Sequence, residues 1–200
     1  MQVTTPQVPA RPRTTWTPSF DRETSAVRLG PEPIDLGGIG KGLAVRWAAD
    51  VLRRHAAGCL VSAGGDCMTY GTGPTGGSWL VGVEDPHGGS EPKVVLEVRD
   101  LACATSSIRI RSWHAGGRPV HHLIDPASQA PGGRGLSAVT VVGPDPAQAE
   151  VWSKALFLAG AEQIAVVADR RSLAALWIDQ DGRTSNSATM GKLIGWCAAA

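Results

Sequence analysis

The sequence predicts an α+β fold, and three observations carry that prediction. Strand and helix patterns are interspersed without the strict strand–helix alternation of a doubly wound parallel sheet. The 25 glycines and 14 prolines fall mostly between apolar segments, so the elements are short and joined by tight turns. The 200 residues, 42% apolar and 18% charged, fit one globular domain or one and a half.

In chain order, residues 1–18 are rich in Thr, Pro and Arg and lack an apolar centre, so they read as a flexible leader rather than a signal peptide. With no signal peptide and no lipobox visible, the expected location is cytoplasmic. Ala26, Val27 and Leu29 make a short apolar strand. Residues 37–42 form a glycine-dense turn that opens a helix, in which Leu43, Trp47, Ala48, Val51 and Leu52 recur at three- and four-residue spacing as the expected buried face. Gly58 is the expected helix stop. Residues 59–63 read as a strand ending in Gly64-Gly65-Asp66, and residues 78–84 and 93–99 as two more, the second alternating. Residues 102–126 mix strand character with the polar clusters Thr105-Ser106-Ser107 and His121-His122. A β-rich run covers 137–142. Residues 146–159 predict a helix that buries Ala149, Trp152, Ala155, Leu156 and Ala159 and stops at Gly160. Residues 164–168 and 174–178 are expected as strands, the latter entering an Asp181-Gly182 turn. One domain over 19–196, with a tail at 197–200, is the expected organisation.

A net charge of +1 gives no broad attraction to nucleic acid or to an acidic membrane surface. No apolar run reaches eighteen residues, so no helical membrane span is expected. Cys59, Cys67, Cys103 and Cys197 show no CxxC spacing, which argues against structural zinc and for reduced thiols.

The turn at 37–42 is the most informative stretch. Its four glycines permit backbone conformations and close approaches that a Cβ would block. A helix N-terminus adds unpaired N–H groups and partial positive charge, and Lys41 adds a full one. Such a turn can cradle phosphate. It matches neither GxxxxGK[ST] nor GxGxxG, and a tight turn with a solvent-facing lysine is an equal reading.

Four motifs then stand in order: Asp35-Leu36-Gly37-Gly38-Ile39-Gly40-Lys41-Gly42; Gly64-Gly65-Asp66; Trp79 to Asp85-Pro86; and Ala104-Thr105-Ser106 followed by His121-His122-Leu123-Ile124-Asp125-Pro126. With the helix at 146–159, they resemble the ApbE-type FAD:protein FMN transferase family. The resemblance implies an ApbE-like α+β fold, with mixed strands and helices around a nucleotide-binding cleft that holds FAD with Mg²⁺ near its pyrophosphate. It also implies transfer of FMN to a Thr or Ser hydroxyl of an acceptor protein, with AMP released. About thirty residues precede Asp35, fewer than the family's flavin-enclosing N-terminal segment would need, so the N-terminal portion reads as missing. A nucleotide-binding module without transferase activity, and a half-domain completed by a partner chain, are the alternatives.

Carried over residue by residue, the resemblance assigns flavin-nucleotide contacts to Gly37, Gly38, Lys41, Asp66, Thr105, Ser106 and Asp125. For Asp66, after two glycines, capping the turn is the favoured reading over contact with the adenosine. The metal would meet the Gly38 carbonyl and Glu150. Where the family has Asp and, four residues on, Thr as side-chain ligands, this chain has Glu150 and Lys154. An ammonium has no lone pair to offer a metal. Glu before Lys at this spacing is also a favourable helix ion pair, and the functional reading is that Lys154 replaces part of the cation's role at phosphate. His122 is the candidate general base for the acceptor hydroxyl, ahead of His121; packing at a strand end is the competing role. Asp85-Pro86 reads as structural, and Trp79, Trp113 and Trp152 as packing residues.

Overall fold

The computed structural model describes residues 17–30 and 34–198. Most of the expected leader, residues 1–16, lies outside them, as do 199 and 200 of the tail. The chain divides into two compact units, one ending at Gly37 and one running from Gly38. In the first, β1 (Ser19–Asp21) and β2 (Ala26–Arg28) form an exposed antiparallel hairpin. The predicted apolar strand before the glycine turn is thus β2, with all three residues exposed, and it ends one residue short of Leu29.

The second unit is layered. It opens with α1 (Gly40–Leu52), followed by β3 (Cys59–Ala63), β4 (Asp66–Tyr70), β5 (Trp79–Glu84), β6 (Pro92–Val98) and β7 (Ala102–Ser107). Two small hairpins come next, β8 (Ser112–Ala115) with β9 (Arg118–His121), and β10 (Ile124–Asp125) with β11 (Ala130–Pro131). The remainder is β12 (Leu136–Gly143), α2 (Pro146–Ala159), α3 (Ile164–Arg170), β13 (Ala174–Asp179), β14 (Thr184–Asn186), a 3₁₀ turn at Met190–Leu193 and β15 (Ile194–Cys197). An antiparallel six-stranded sheet in the order β14-β13-β12-β7-β4-β3 forms the centre. A three-stranded sheet, β15-β6-β5, is the second.

Strand periodicity explains the layering. Met68, Ala102, Ala104, Val139, Val141 and Ala175 share one core with Val45 and Ala49 of α1 and Leu156 and Phe157 of α2. The alternate residues Cys67, Cys103, Ala138, Val142, Leu176 and Ile178 share the other with Val83, Val94, Leu96 and Val98 of the smaller sheet. Covered on both faces, β12 is buried at every position but its last. Cys67 and Cys103, directly opposite in register, are both free thiols, as are Cys59 and Cys197.

Several elements depart from the sequence reading. α1 buries Gly42, Val45 and Ala49, whereas Trp47 is 64% exposed and Val51 and Leu52 also face out. The cause is the closeness of α2: a Cβ on Gly42 would lie 2.5 Å from the Ala147 Cα and from the Pro146 carbonyl oxygen. Only small residues fit that seam, so the bulkier stripe points away. α1 ends at Leu52 rather than near Gly58. Gly58 instead admits the Thr72 backbone, which occupies the space of a Cβ. β4 was not expected; Gly64 and Gly65, at φ +60° and +93°, make the two-residue turn that folds it back on β3.

Residues 164–168 form helix α3, not a strand, with Ile164 and Ala168 buried four residues apart. Short apolar runs do not separate the two states by period. α2 has the expected bounds, but buries Ser153 and Phe157 where Ala155 was expected, and Trp113 is 53% exposed rather than packed. Among the described residues no helix is long and apolar enough to cross a membrane.

The two faces of the helices make a direct comparison. Phe157→Ala should destabilise the protein by about 3–5 kcal/mol, because its fully buried ring packs in the helix-side core. Trp47→Ala should stay within about 0.5 kcal/mol of the parent. Urea denaturation of the two variants checks both.

Candidate functional site

The site grows from the seam between α1 and α2. Asp145 caps α2: its carboxylate accepts from the N–H groups of Ala147 at 2.8 Å and Gln148 at 3.0 Å, with Pro146 in the first turn. The same oxygen accepts from Arg46 of α1 at 2.6 Å, so one residue starts the second helix and ties the first to it. A turn further along α2, Glu150 is completely buried. Its Oε2 accepts from the Gly42 N–H at 2.7 Å and its Oε1 from Lys154 Nζ at 3.0 Å. Lys41 Nζ lies 3.9 Å from the same Oε1.

Lys41 also donates to Asp66 Oδ2 at 2.5 Å, and the Thr105 N–H donates to Asp66 Oδ1 at 3.2 Å. Burial raises the Asp66 pKa above the ordinary carboxylate value; the Lys41 hydrogen bond and charge and the Thr105 N–H oppose this, while the Glu150 charge adds to it. The Lys154 stem passes Gly38, where a Cβ would stand 3.8 Å from its Cδ. Gly38, Lys41, Gly42, Asp66, Glu150 and Lys154 therefore form one cluster of two carboxylates and two ammonium groups at the start of α1. Asp66 follows the two-glycine turn, but its carboxylate bonds Lys41 and the Thr105 N–H rather than capping that turn.

Other expected contacts fall elsewhere. The Thr105 side chain is on the far face of the sheet, its hydroxyl bonded to Thr140 Oγ1 at 2.9 Å, so Thr105 reaches the cluster through its backbone alone. Ser106 faces the helices, but its buried hydroxyl is paired with Ser153 Oγ at 2.8 Å. Asp125 organises its own turn, accepting from Ala127 N and Ser128 Oγ, both at 2.9 Å. Gly37 belongs to the first unit, where its N–H bonds Asp35. Asp85 accepts from the His87 N–H, in keeping with a structural role.

The two histidines differ in setting. His121 packs edge-on against the Phe157 ring and accepts through Nδ1 from the Leu123 N–H. His122 Nδ1 lies 3.3 Å from the Arg111 carbonyl. A carbonyl only accepts, so this bond places the proton on Nδ1 and leaves the Nε2 lone pair free. Partial burial lowers the His122 pKa most; the Arg111 carbonyl opposes this, and the charges of Arg111, His121 and Lys154 lower it further. Sequence reasoning had not singled out Arg46, Asp145 or Arg111. Only Asp145, just before Pro146, carried a local cap signal.

The donor set does not fit the expected Mg²⁺. Both Glu150 oxygens are engaged, by a backbone N–H and by an ammonium. Magnesium requires oxygen ligands in near-octahedral array, and Lys154 supplies none. A cation 4 Å from an ammonium would be repelled by about 4 kcal/mol per unit charge at an effective dielectric constant of 20.

Comparison with known proteins agrees with this architecture. The model of the ApbE family matches residues 11–177. The chain is 27% identical over 151 residues to the FAD:protein FMN transferase of Salmonella typhimurium, covering 74% of this chain and 43% of that protein. It is 28% identical over 179 residues to the Haemophilus influenzae protein of the same name, covering 86% and 52%. Among solved structures, an ApbE protein from Thermotoga maritima superposes with a TM-score of 0.76 at 28% identity, covering 88% of this chain and 58% of the other. The apo flavinyl transferase ApbE of Pseudomonas stutzeri gives 0.75 at 26%, covering 90% and 57%. The chain spans about half the length of the curated relatives it matches.

Replacing Lys41 with Met would leave buried Asp66 without its closest cation. A carboxylate whose folded pKa is raised stabilises the fold below its unfolded value near 3.9 and loses that contribution as pH rises through the folded value. Lys41→Met should steepen the loss of stability as pH rises above about 4, relative to the parent. Denaturant melts at several pH values would show it; parallel curves would mean that Lys41 does not hold the Asp66 charge.

Proposed function

This chain belongs to the ApbE family, and we propose that it takes FAD as substrate and passes FMN to a Thr or Ser hydroxyl of an acceptor protein, releasing AMP. The observation that carries this reading is the cluster at the start of α1. Two ammonium groups and a helix N-terminus converge beside the glycine turn, a set of groups that suits the phosphates of a nucleotide. Lys41 and Lys154 each have three N–H donors. The carboxylates they touch leave donors over for phosphate oxygens, so the ammonium groups can bridge Glu150 or Asp66 to a bound anion.

Transfer is a displacement at the FMN phosphorus. The acceptor hydroxyl oxygen forms the new P–O bond, the bond to the bridging oxygen of the pyrophosphate breaks, and AMP leaves with that oxygen. The hydroxyl proton goes to His122 Nε2. His122 suits the task because its lowered pKa leaves it unprotonated at neutral pH. Lys154, which belongs to the cluster at the start of α1, is among the charges that lower that pKa. No step is routed through magnesium, for which the donor set is unsuited.

Purified protein, FAD and an acceptor protein, assayed chromatographically for AMP, test the proposal. FAD bound without AMP release would point to a binding module. His122→Asn should lower turnover by about 10²–10⁴-fold while FAD affinity is retained. In the parent, kcat/KM should rise with pH to a plateau, with an apparent pKa below the ordinary 6.5, since the unprotonated imidazole is the active form. Equal losses of FAD affinity and turnover in His122→Asn would mark a structural histidine instead.

A further inference from the structure

We propose that Lys154 is a built-in replacement for the divalent cation, so that this chain binds the diphosphate of its nucleotide without metal; the inference rests on the nucleotide reading above. The Lys154 head is fixed by its buried partner: Nζ donates to Glu150 Oε1 at 3.0 Å, and its stem passes Gly38 in the glycine turn, where a Cβ would stand 3.8 Å from its Cδ. The ammonium therefore sits between the start of α1 and the buried carboxylate.

Lys41 and Lys154 carry two positive charges, and Asp66 and Glu150 two negative ones, so the carboxylates are balanced with no added ion before a nucleotide arrives. A dication at Glu150 would have to displace Lys154 from it. A lysine in place of one oxygen ligand also changes what the site demands of solution. An ammonium is covalently supplied at every metal concentration, and its remaining N–H groups meet phosphate oxygens directly. The i, i+4 spacing that in a bare helix serves only as a surface ion pair here places the ammonium on a completely buried partner.

Calorimetric titration of the full chain with FAD, in EDTA and then in excess Mg²⁺, tests the proposal. Equal affinity in the two buffers is expected. Lys154→Thr should weaken binding in EDTA by about ten- to a hundredfold, the worth of a charge-assisted hydrogen bond, and should regain affinity when Mg²⁺ is added. Lys154→Arg, which keeps the charge, should bind FAD in EDTA. Parent protein that binds FAD only with Mg²⁺ would overturn the replacement while leaving the nucleotide reading intact. So would Lys154→Thr binding as well as the parent in EDTA, with a melting temperature confirming that it is folded. Failure of the parent to bind FAD in either buffer would remove the nucleotide reading itself, and this inference with it.

Discussion

The buried carboxylate of Glu150 is the constraint around which the site is arranged. A charge taken out of water must be paired and hydrogen-bonded, because an unpaired one is shifted or expelled. Glu150 meets that demand with three positively polarised groups: the Gly42 N–H, the Lys154 ammonium and, farther off, Lys41. Each requirement fixes an element. The Gly42 bond brings the start of α1 against α2, which in turn excludes any Cβ at position 42. The Lys41 position then turns that side chain toward Asp66, at the head of β4. Arg46 and Asp145 make the second tie between the helices, with their head groups partly exposed and correspondingly weaker.

The central sheet decides which neighbouring side chains join this arrangement. Because strand side chains alternate, Asp66 and Ser106 face the helices while Thr105 faces the smaller sheet. A sequence reading that groups Thr105 with Ser106 as two hydroxyl donors overlooks that parity. Of the pair, one hydroxyl pairs with Thr140 and the other with Ser153, and the contribution to the cluster is the Thr105 backbone N–H. The β4–β7 register, which sets Cys67 opposite Cys103, brings Asp66 within reach of that N–H.

What was legible in the sequence follows from how local each signal is. The bounds of α2 could be read because Asp145-Pro146 and Gly160 are start and stop signals that act within a turn of the helix. β3 and its glycine turn were legible for the same reason. The buried face of α1 was not, since Leu43, Trp47 and Val51 have the period of a core face. What overrides that period is a non-local fact, the close packing of Gly42 on Ala147, about a hundred positions away. α3 has too few residues for its period to stand out from a strand's. In the site, residue types were legible and geometry was not. Lys41, Asp66, Glu150 and Lys154 were all identified from sequence, but their union needed the fold.

That union changes the meaning of the Glu150–Lys154 pair. On an exposed helix such a pair is worth about 0.2–0.5 kcal/mol, since water and side-chain entropy offset the attraction. Here one partner is completely buried and the other is largely covered, so little water competes for either. Replacing Lys154 with a neutral residue would remove the closest ammonium from a carboxylate that cannot turn to solvent. Lys41, at 3.9 Å, would then be the nearest cation, yet its shorter bond is to Asp66. The two carboxylates would share one ammonium, leaving net negative charge where the proposed function places a negatively charged diphosphate. With Lys154 where the resemblance implies an oxygen ligand, both buried carboxylates are kept paired by the two lysines, Lys41 at Asp66 and Lys154 at Glu150.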